Sequence, residues 1–231
     1  MGRTTMAGSD TDFHTGHRER LRQKFLDGKL ADYELLEMLL GYAIPRRDVR
    51  PLARGLMAQF GGVHQILAAP LDKLVAFRGM GRNTAIFLKS INQIMATGYR
   101  EKLSEQPIFR DATAVANYCR TILSGKTTEE MHVFYLGSEL CMLADDVHSC
   151  GTNDEAVVYP REILKRALVL NARSVVLVHN HPTPNKSFST ADIEITTVVR
   201  DLLAAAGIEL FDHFVVSGSI VYSARNMFLL K

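Results

Sequence analysis

Hydrophobic positions in the first half of the chain recur at helical spacing, with no strand-like alternation. Leu35, Leu36, Met38, Leu39 and Leu40 crowd one amphipathic segment; Leu52, Leu56, Met57 and Phe60 mark another, which Gly61-Gly62 closes. A third runs from about Asn83 to Arg100, with Ala85, Ile86, Leu88, Ile91 and Ile94 on its apolar side. Apolar residues three and four apart share one face of a helix, so this stretch predicts a helical domain over 17–104. The residues before it, 1–16, are small and polar and read as a disordered tail.

Beyond Leu103 the pattern changes. The segment to Asp111 holds a proline and no period, and 105–111 reads as a linker. A helix is predicted over Ala112 to Leu123, then an alternating or buried strand over Met131 to Gly137, and more strand over Leu140 to Val147. Pro160 suits the first turn of a helix ending near Asn171, because its missing N–H would be unpaired there anyway. The β-branched run Ser174 to Val178 predicts a buried strand. Ser189 to Ala206 predicts a helix closed by Gly207, and Ile208 to Val216 a last strand. Alternating strands and helices over 112–231 make a layered α/β domain, and the whole chain an α+β protein of two domains.

Composition changes this picture little. At 231 residues the chain can bury two cores, and its 47% apolar and 23% charged residues are ordinary globular usage. A net charge of +2 does not mark a nucleic-acid binder, so local basic clusters must carry any such case. Cys119, Cys141 and Cys150 are odd in number and lack C-x-x-C spacing, which fits reduced core residues better than a disulfide frame. No apolar run approaches the ~20 residues of a membrane span, and the polar start has no signal-peptide core. A soluble, cytoplasmic protein with no membrane partner is expected.

The segment Val178-His-Asn-His-Pro182, followed by Ser189 and Asp192, carries the chemistry. Two histidines two apart on a strand project from one face, about 7 Å apart at the backbone, so two ring nitrogens can converge on one ion. Asp192 falls in the first turn of the following helix, where the dipole favours a carboxylate and the side chain can point back at His179 and His181. Two imidazoles and one carboxylate are the ligand set of a catalytic zinc site with an open fourth position; a structural site is closed by four protein ligands. Ser189-x-x-Asp192 is equally a helix capping box, and capping and ligation are compatible.

The pattern H-x-H-x7-S-x-x-D resembles the JAB/MPN+ (JAMM) metallopeptidase motif. Val158 to Leu168 (VYPREILKRAL), Val178 to Pro182 and Leu210 to Phe214 (LFDHF) resemble the RadC family more closely. The resemblance implies a helix-hairpin-helix domain followed by a JAB/MPN domain, a cytidine-deaminase-like mixed sheet flanked by helices. It further implies one zinc per chain, a peptidase or isopeptidase-like hydrolase, and a DNA-repair-associated role. The loop here reads His-Pro-Thr-Pro-Asn-Lys-Ser-Phe-Ser where the family has H-P-S-G-x-P-x-P-S, so the length is kept and the glycine and second proline are lost. The family's general-base glutamate stands seven residues before a strand-closing glycine, a spacing met by Glu130 and Gly137. Glu129 then faces the other side of the strand, and a slip of one residue exchanges the two. The resemblance also implies that Ser189 hydrogen-bonds a developing oxyanion. Asp212-His213 matches a family pair; His213 reads as a core histidine or one that supports a ligand. His132 and His148 have no ligand spacing and read as structural.

In the helical half, Phe77-Arg-Gly-Met-Gly-Arg-Asn-Thr-Ala85 resembles the hairpin of a helix-hairpin-helix module. Gly79 and Gly81 permit a tight turn, the next helix offers free N–H groups to a phosphate, and Arg78, Arg82 and Lys89 supply positive charge. Backbone-directed, sequence-independent DNA binding is one reading of it; a structural or protein-docking hairpin is the other. Three functions follow: a metal-dependent amide hydrolase with an accessory DNA-binding domain and a peptide or protein substrate, a single-metal nucleic-acid-processing enzyme, or a non-catalytic DNA- or protein-binding scaffold that keeps the ion.

Overall fold

The computed structural model describes residues 10–108, 111–150, 159–184 and 186–230. They divide into two compact units: residues up to Leu67 with Leu71–Lys89, and Ala68–Pro70 with Ser90 onward. The helices of the first half are α1 (Asp10–Leu26), α2 (Asp32–Ala43), α3 (Arg50–Phe60), α4 (Val63–Ala68), α5 (Leu71–Ala76) and α6 (Arg82–Glu105).

In the first unit Leu36, Leu40, Leu52, Leu56, Leu74 and Leu88 are buried. All but Leu74, which belongs to α5, come from the three apolar faces that the period of 3.6 marks out. Gly61 ends α3 in the left-handed conformation, φ 89°, with its N–H donating to the Met57 carbonyl. A residue with a Cβ is strained there. α1 begins at Asp10, inside the stretch expected to be a tail; residues 1–9 lie outside the described residues. Its anchors are tertiary and leave no periodic trace: Leu21 is buried, and the Arg18 guanidinium donates to the Ile44, Pro45 and Arg47 carbonyls.

The second unit holds α7 (Ala112–Leu123), β1 (Glu130–Leu136), β2 (Met142–Cys150), α8 (Pro160–Val169), β3 (Ser174–His181), α9 (Thr190–Ala205), β4 (Glu209–Ser217) and β5 (Ile220–Ser223). Among the described residues these strands form one five-stranded mixed sheet, ordered β2-β1-β3-β4-β5. β1 runs antiparallel to both β2 and β3, β3 pairs parallel with β4 through the α9 crossover, and β5 returns antiparallel on β4. This is the α+β chain the pattern predicts, with β5 added and β2 starting two residues later. Leu140, at φ 60°, belongs to the turn between β1 and β2.

Both faces of the sheet are covered. On one, Val115, Tyr118, Cys119 and Leu123 of α7 pack on Phe134, Leu136, Val176, Val178 and Val216. On the other, Ile163 and Ala167 of α8 and Val199 and Leu203 of α9 pack on Met131, Val133, Tyr135, Val175 and Leu177. Every residue of β3 is buried. A strand buried on both faces is a rigid place to mount side chains, and the chemistry-bearing residues sit at its C-terminal end. Among the described residues no helix is long and apolar enough to cross a membrane.

Candidate metal centre

β3 alternates, with Val175 and Leu177 toward α8 and α9, so His179 and His181 emerge on that same face. The chain turns at Pro182, and α9 starts with Ser189 as its N-cap. Asp192, the third residue of the helix, is thereby aimed back at the strand end. Its Oδ1 lies 3.1 Å from His179 Nε2 and its Oδ2 3.3 Å from His181 Nε2, and the two Nε2 atoms are 3.0 Å apart. Ligands about 2.0–2.1 Å from a tetrahedral ion stand roughly 3.3–3.4 Å from one another, so the three atoms already occupy something close to three corners of such a site. Among the described residues this is the one group of three or more His, Cys, Asp or Glu that could hold a metal ion.

The surroundings hold each ligand in place. Ser189 N–H and Oγ–H both donate to Asp192 Oδ2, at 2.6 and 2.7 Å, and Asp192 N–H donates back to Ser189 Oγ at 3.1 Å. The capping box and the candidate ligand are therefore one object. Burial acts to raise the Asp192 carboxyl, yet the His179 and His181 rings facing it outweigh that and hold the group well below the ordinary carboxylate range. The Asp192 carboxylate in turn raises His181 above the usual imidazole value, against desolvation. The Lys186 carbonyl accepts from His181 Nδ1–H at 3.3 Å, which leaves Nε2 as the free lone pair. His179 Nδ1 has a different partner, the fully buried His213, whose Nε2 is 2.8 Å away. Desolvation pushes His213 well below the usual imidazole value, so the ring is neutral at physiological pH.

The glutamates correct the sequence-based expectation. Glu130, expected to face the ion, lies on the α7 side of β1: its carboxylate pairs with Lys126 at 2.9 Å and stands 3.8 Å from His132 Nε2. Glu129 is the residue on the side of His179 and His181, with Oε1 4.0 Å from His181 Nε2. The reason is register. Met131 is opposite His179 and shares its face, and the strand period of two then puts Glu129 there and Glu130 away. Asn180, between the two histidines, points to the opposite face and grips the start of β1. Its Nδ2–H donates to the Thr128 carbonyl at 3.0 Å and its Oδ1 accepts from Glu130 N–H at 2.9 Å, bracketing Glu129. Asn180 was not singled out from the sequence, although a strand alternating His-Asn-His must send its middle residue to the other layer.

A sequence profile of the RadC-like JAB domain matches residues 109–228, spanning every strand and all three candidate ligands. The chain belongs to the RadC family. A UPF0758 protein of Ruegeria pomeroyi is 39% identical over 212 residues, which cover 90% of this chain and 95% of that one.

The remaining expected residues of this RadC-family chain are placed as follows. Ser189 is exposed, and its hydroxyl is committed to Asp192. Asp212 is buried and accepts from Ser223 Oγ–H, His213 N–H and Arg225 N–H, tying β4 to β5. His132 is held by Asp145 at 2.7 Å, and His148 Nε2 lies 2.7 Å from Tyr135 Oη; neither reaches the ligands. Cys119 is buried; the Cys150 side chain and Val158 lie outside the described residues. In the helical unit, Gly79 takes φ 93° in the turn between α5 and α6, with Met80 N–H donating to the Phe77 carbonyl. Gly81 precedes α6, and Arg78 and Arg82 are exposed beside it. Lys89 instead donates inward, to the Leu67 carbonyl.

Proposed function

We propose that this chain is a zinc-dependent hydrolase of the JAMM type that cleaves an amide bond in a peptide or isopeptide, with one zinc held by His179, His181 and Asp192. The observation that carries the reading is the convergence of two Nε2 atoms and a carboxylate at tetrahedral spacing, with a further carboxylate, Glu129, beside them. Three protein ligands are the arrangement of catalytic zinc sites, and bound there zinc lowers the pKa of water to about 7 and polarises a carbonyl. The protein's own part is positional. Glu129 takes the proton that the attacking water gives up and returns it to the leaving nitrogen, with Asn180 fixing the backbone on either side. Ser189 acts through Asp192, whose orientation it sets.

The helical unit supplies an accessory contact with DNA in this reading. Arg78 and Arg82 flank the free N–H groups at the start of α6, a combination suited to backbone phosphates. Such a contact fits a repair-associated role. A phosphodiester-cleaving centre is the weaker reading, because a single three-ligand cluster is sparse beside the two-metal sites common in nucleases. The test is a screen of the purified chain against peptide, isopeptide-linked and DNA substrates. Amide cleavage that a chelator abolishes and zinc restores supports the proposal; chelator-sensitive DNA cleavage without amide cleavage overturns it.

A further inference from the structure

His181 and His179 are supported differently. A backbone carbonyl, which can only accept, stands at His181 Nδ1 and settles its tautomer. His179 Nδ1 meets another imidazole, which can donate or accept, so the contact alone leaves the tautomer open. The wrong tautomer puts the proton on His179 Nε2, the atom aimed at Asp192 and His181, and blocks ligation.

The direction is decided two bonds away. The Thr196 hydroxyl donates to the Asp192 carbonyl of its own helix. That spends its single proton, so toward His213 Nδ1, 2.6 Å away, Thr196 Oγ1 can only accept. His213 must then carry its proton on Nδ1 and offer Nε2 as an acceptor. His179 must in turn donate from Nδ1, which leaves its Nε2 bare. His213 is fully buried. Phe188 packs edge-on against the His213 ring at 5.2 Å, and the His213 backbone N–H donates to Asp212.

We propose that Thr196 and His213 form a hydrogen-bond relay of fixed polarity, running from the Asp192 carbonyl to His179 Nδ1, that presents His179 Nε2 to the metal; the link to metal binding rests on the zinc site proposed above. Both are positioning residues. The relay ties α9 to β4 and β3, so the element that carries the carboxylate ligand also sets the proton on the imidazole ligand. Groups in this supporting role typically contribute about 10–100-fold to metal affinity.

The experiment has two arms on the full chain. Long-range proton–nitrogen NMR of the histidine rings, in the metal-free protein, should show His213 and His179 both protonated on Nδ1. This arm needs no metal and stands whether or not zinc binds. In the second, zinc affinity is measured by chelator competition on folded protein. Thr196→Val should weaken it about tenfold or more and His213→Phe by up to about 100-fold, while Thr196→Ser, which restores the hydroxyl, returns it to near wild type. A role limited to packing would lower melting temperature more in Thr196→Ser, which loses the methyl group, than in the isosteric Thr196→Val, and would leave affinity alone in both. His213 protonated on Nε2, or unchanged zinc affinity in folded Thr196→Val, overturns the relay. Failure of the wild-type chain to bind zinc with both rings in the stated tautomer overturns the metal reading and spares the relay.

Discussion

Replacing Glu129 by glutamine keeps the side chain's shape and removes its ability to carry a proton. The carboxylate stands 4.0 Å from His181 Nε2, outside the set of atoms 3.0–3.3 Å apart that would hold the ion. Glu129→Gln should therefore retain full zinc content and an unchanged melting temperature. A positioned general base contributes about 10²–10⁴-fold, equivalent to roughly 3–5 kcal/mol of barrier, and turnover should fall by that factor. The matched control is Glu130→Gln, one residue on. It breaks an ion pair with Lys126 in which the lysine is 43% and the glutamate 13% exposed, and a solvent-screened pair of this kind contributes on the order of 1 kcal/mol to stability. Turnover should stay near wild type. The assay is turnover on whichever substrate the screen returns, read with zinc content and a thermal melt for both variants. If Glu130→Gln is the inactive variant and Glu129→Gln is active, the face assignment of β1 is wrong. If Glu129→Gln loses its zinc, Glu129 is a ligand and the open coordination position disappears.

Asn180→Ala should destabilise the chain by about 1–3 kcal/mol in urea unfolding, since it strands the Thr128 carbonyl and the Glu130 N–H, and it should lower turnover more than zinc content; unaltered stability and turnover would contradict the bracket around Glu129. Changing Arg78 and Arg82 together to glutamate should weaken duplex DNA binding across all sequences and flatten its salt dependence in gel-shift titrations; unaltered binding would make the hairpin a docking or structural element. His148, half-buried against Tyr135, titrates below its ordinary value because burial disfavours the charged ring. Its contribution is therefore complete above about pH 6.5 and lost as pH falls from there toward the folded value. His148→Gln should reduce the gap in urea midpoint between pH 7.5 and 5.5, and an identical gap would rule this out.

The parts legible in the sequence are those where one period dominates. Two histidines two apart on a strand must share a face, and an aspartate in the next helix's first turn points back at them, so the grouping of these three side chains needed no structure. Which of Glu129 and Glu130 faces the histidines was illegible for the opposite reason. Six consecutive residues of β1, Met131 to Leu136, are buried because the sheet is covered on both sides, and no polar–apolar alternation marks which face each occupies. The register is set by pairing with β3 and by Asn180, a contact across fifty residues of chain. The four-residue β5 was invisible because it is too short to show a period and stands only through its pairing with β4. The start of α1 escaped because Arg18 and Leu21 hold the helix by tertiary contacts. His213 was visible as half of a pair with Asp212, but its part depends on Thr196, a residue type common enough to carry no signal.

Metal content tests the central claim most directly. Chain purified without added chelator and analysed by elemental mass spectrometry should hold about one zinc per molecule, bound by deprotonated ligands and released on acidification. His179→Ala and Asp192→Ala should each abolish it while the fold persists by circular dichroism. Zinc at full stoichiometry in folded His179→Ala, or none in a wild-type chain dialysed against zinc, would contradict the site.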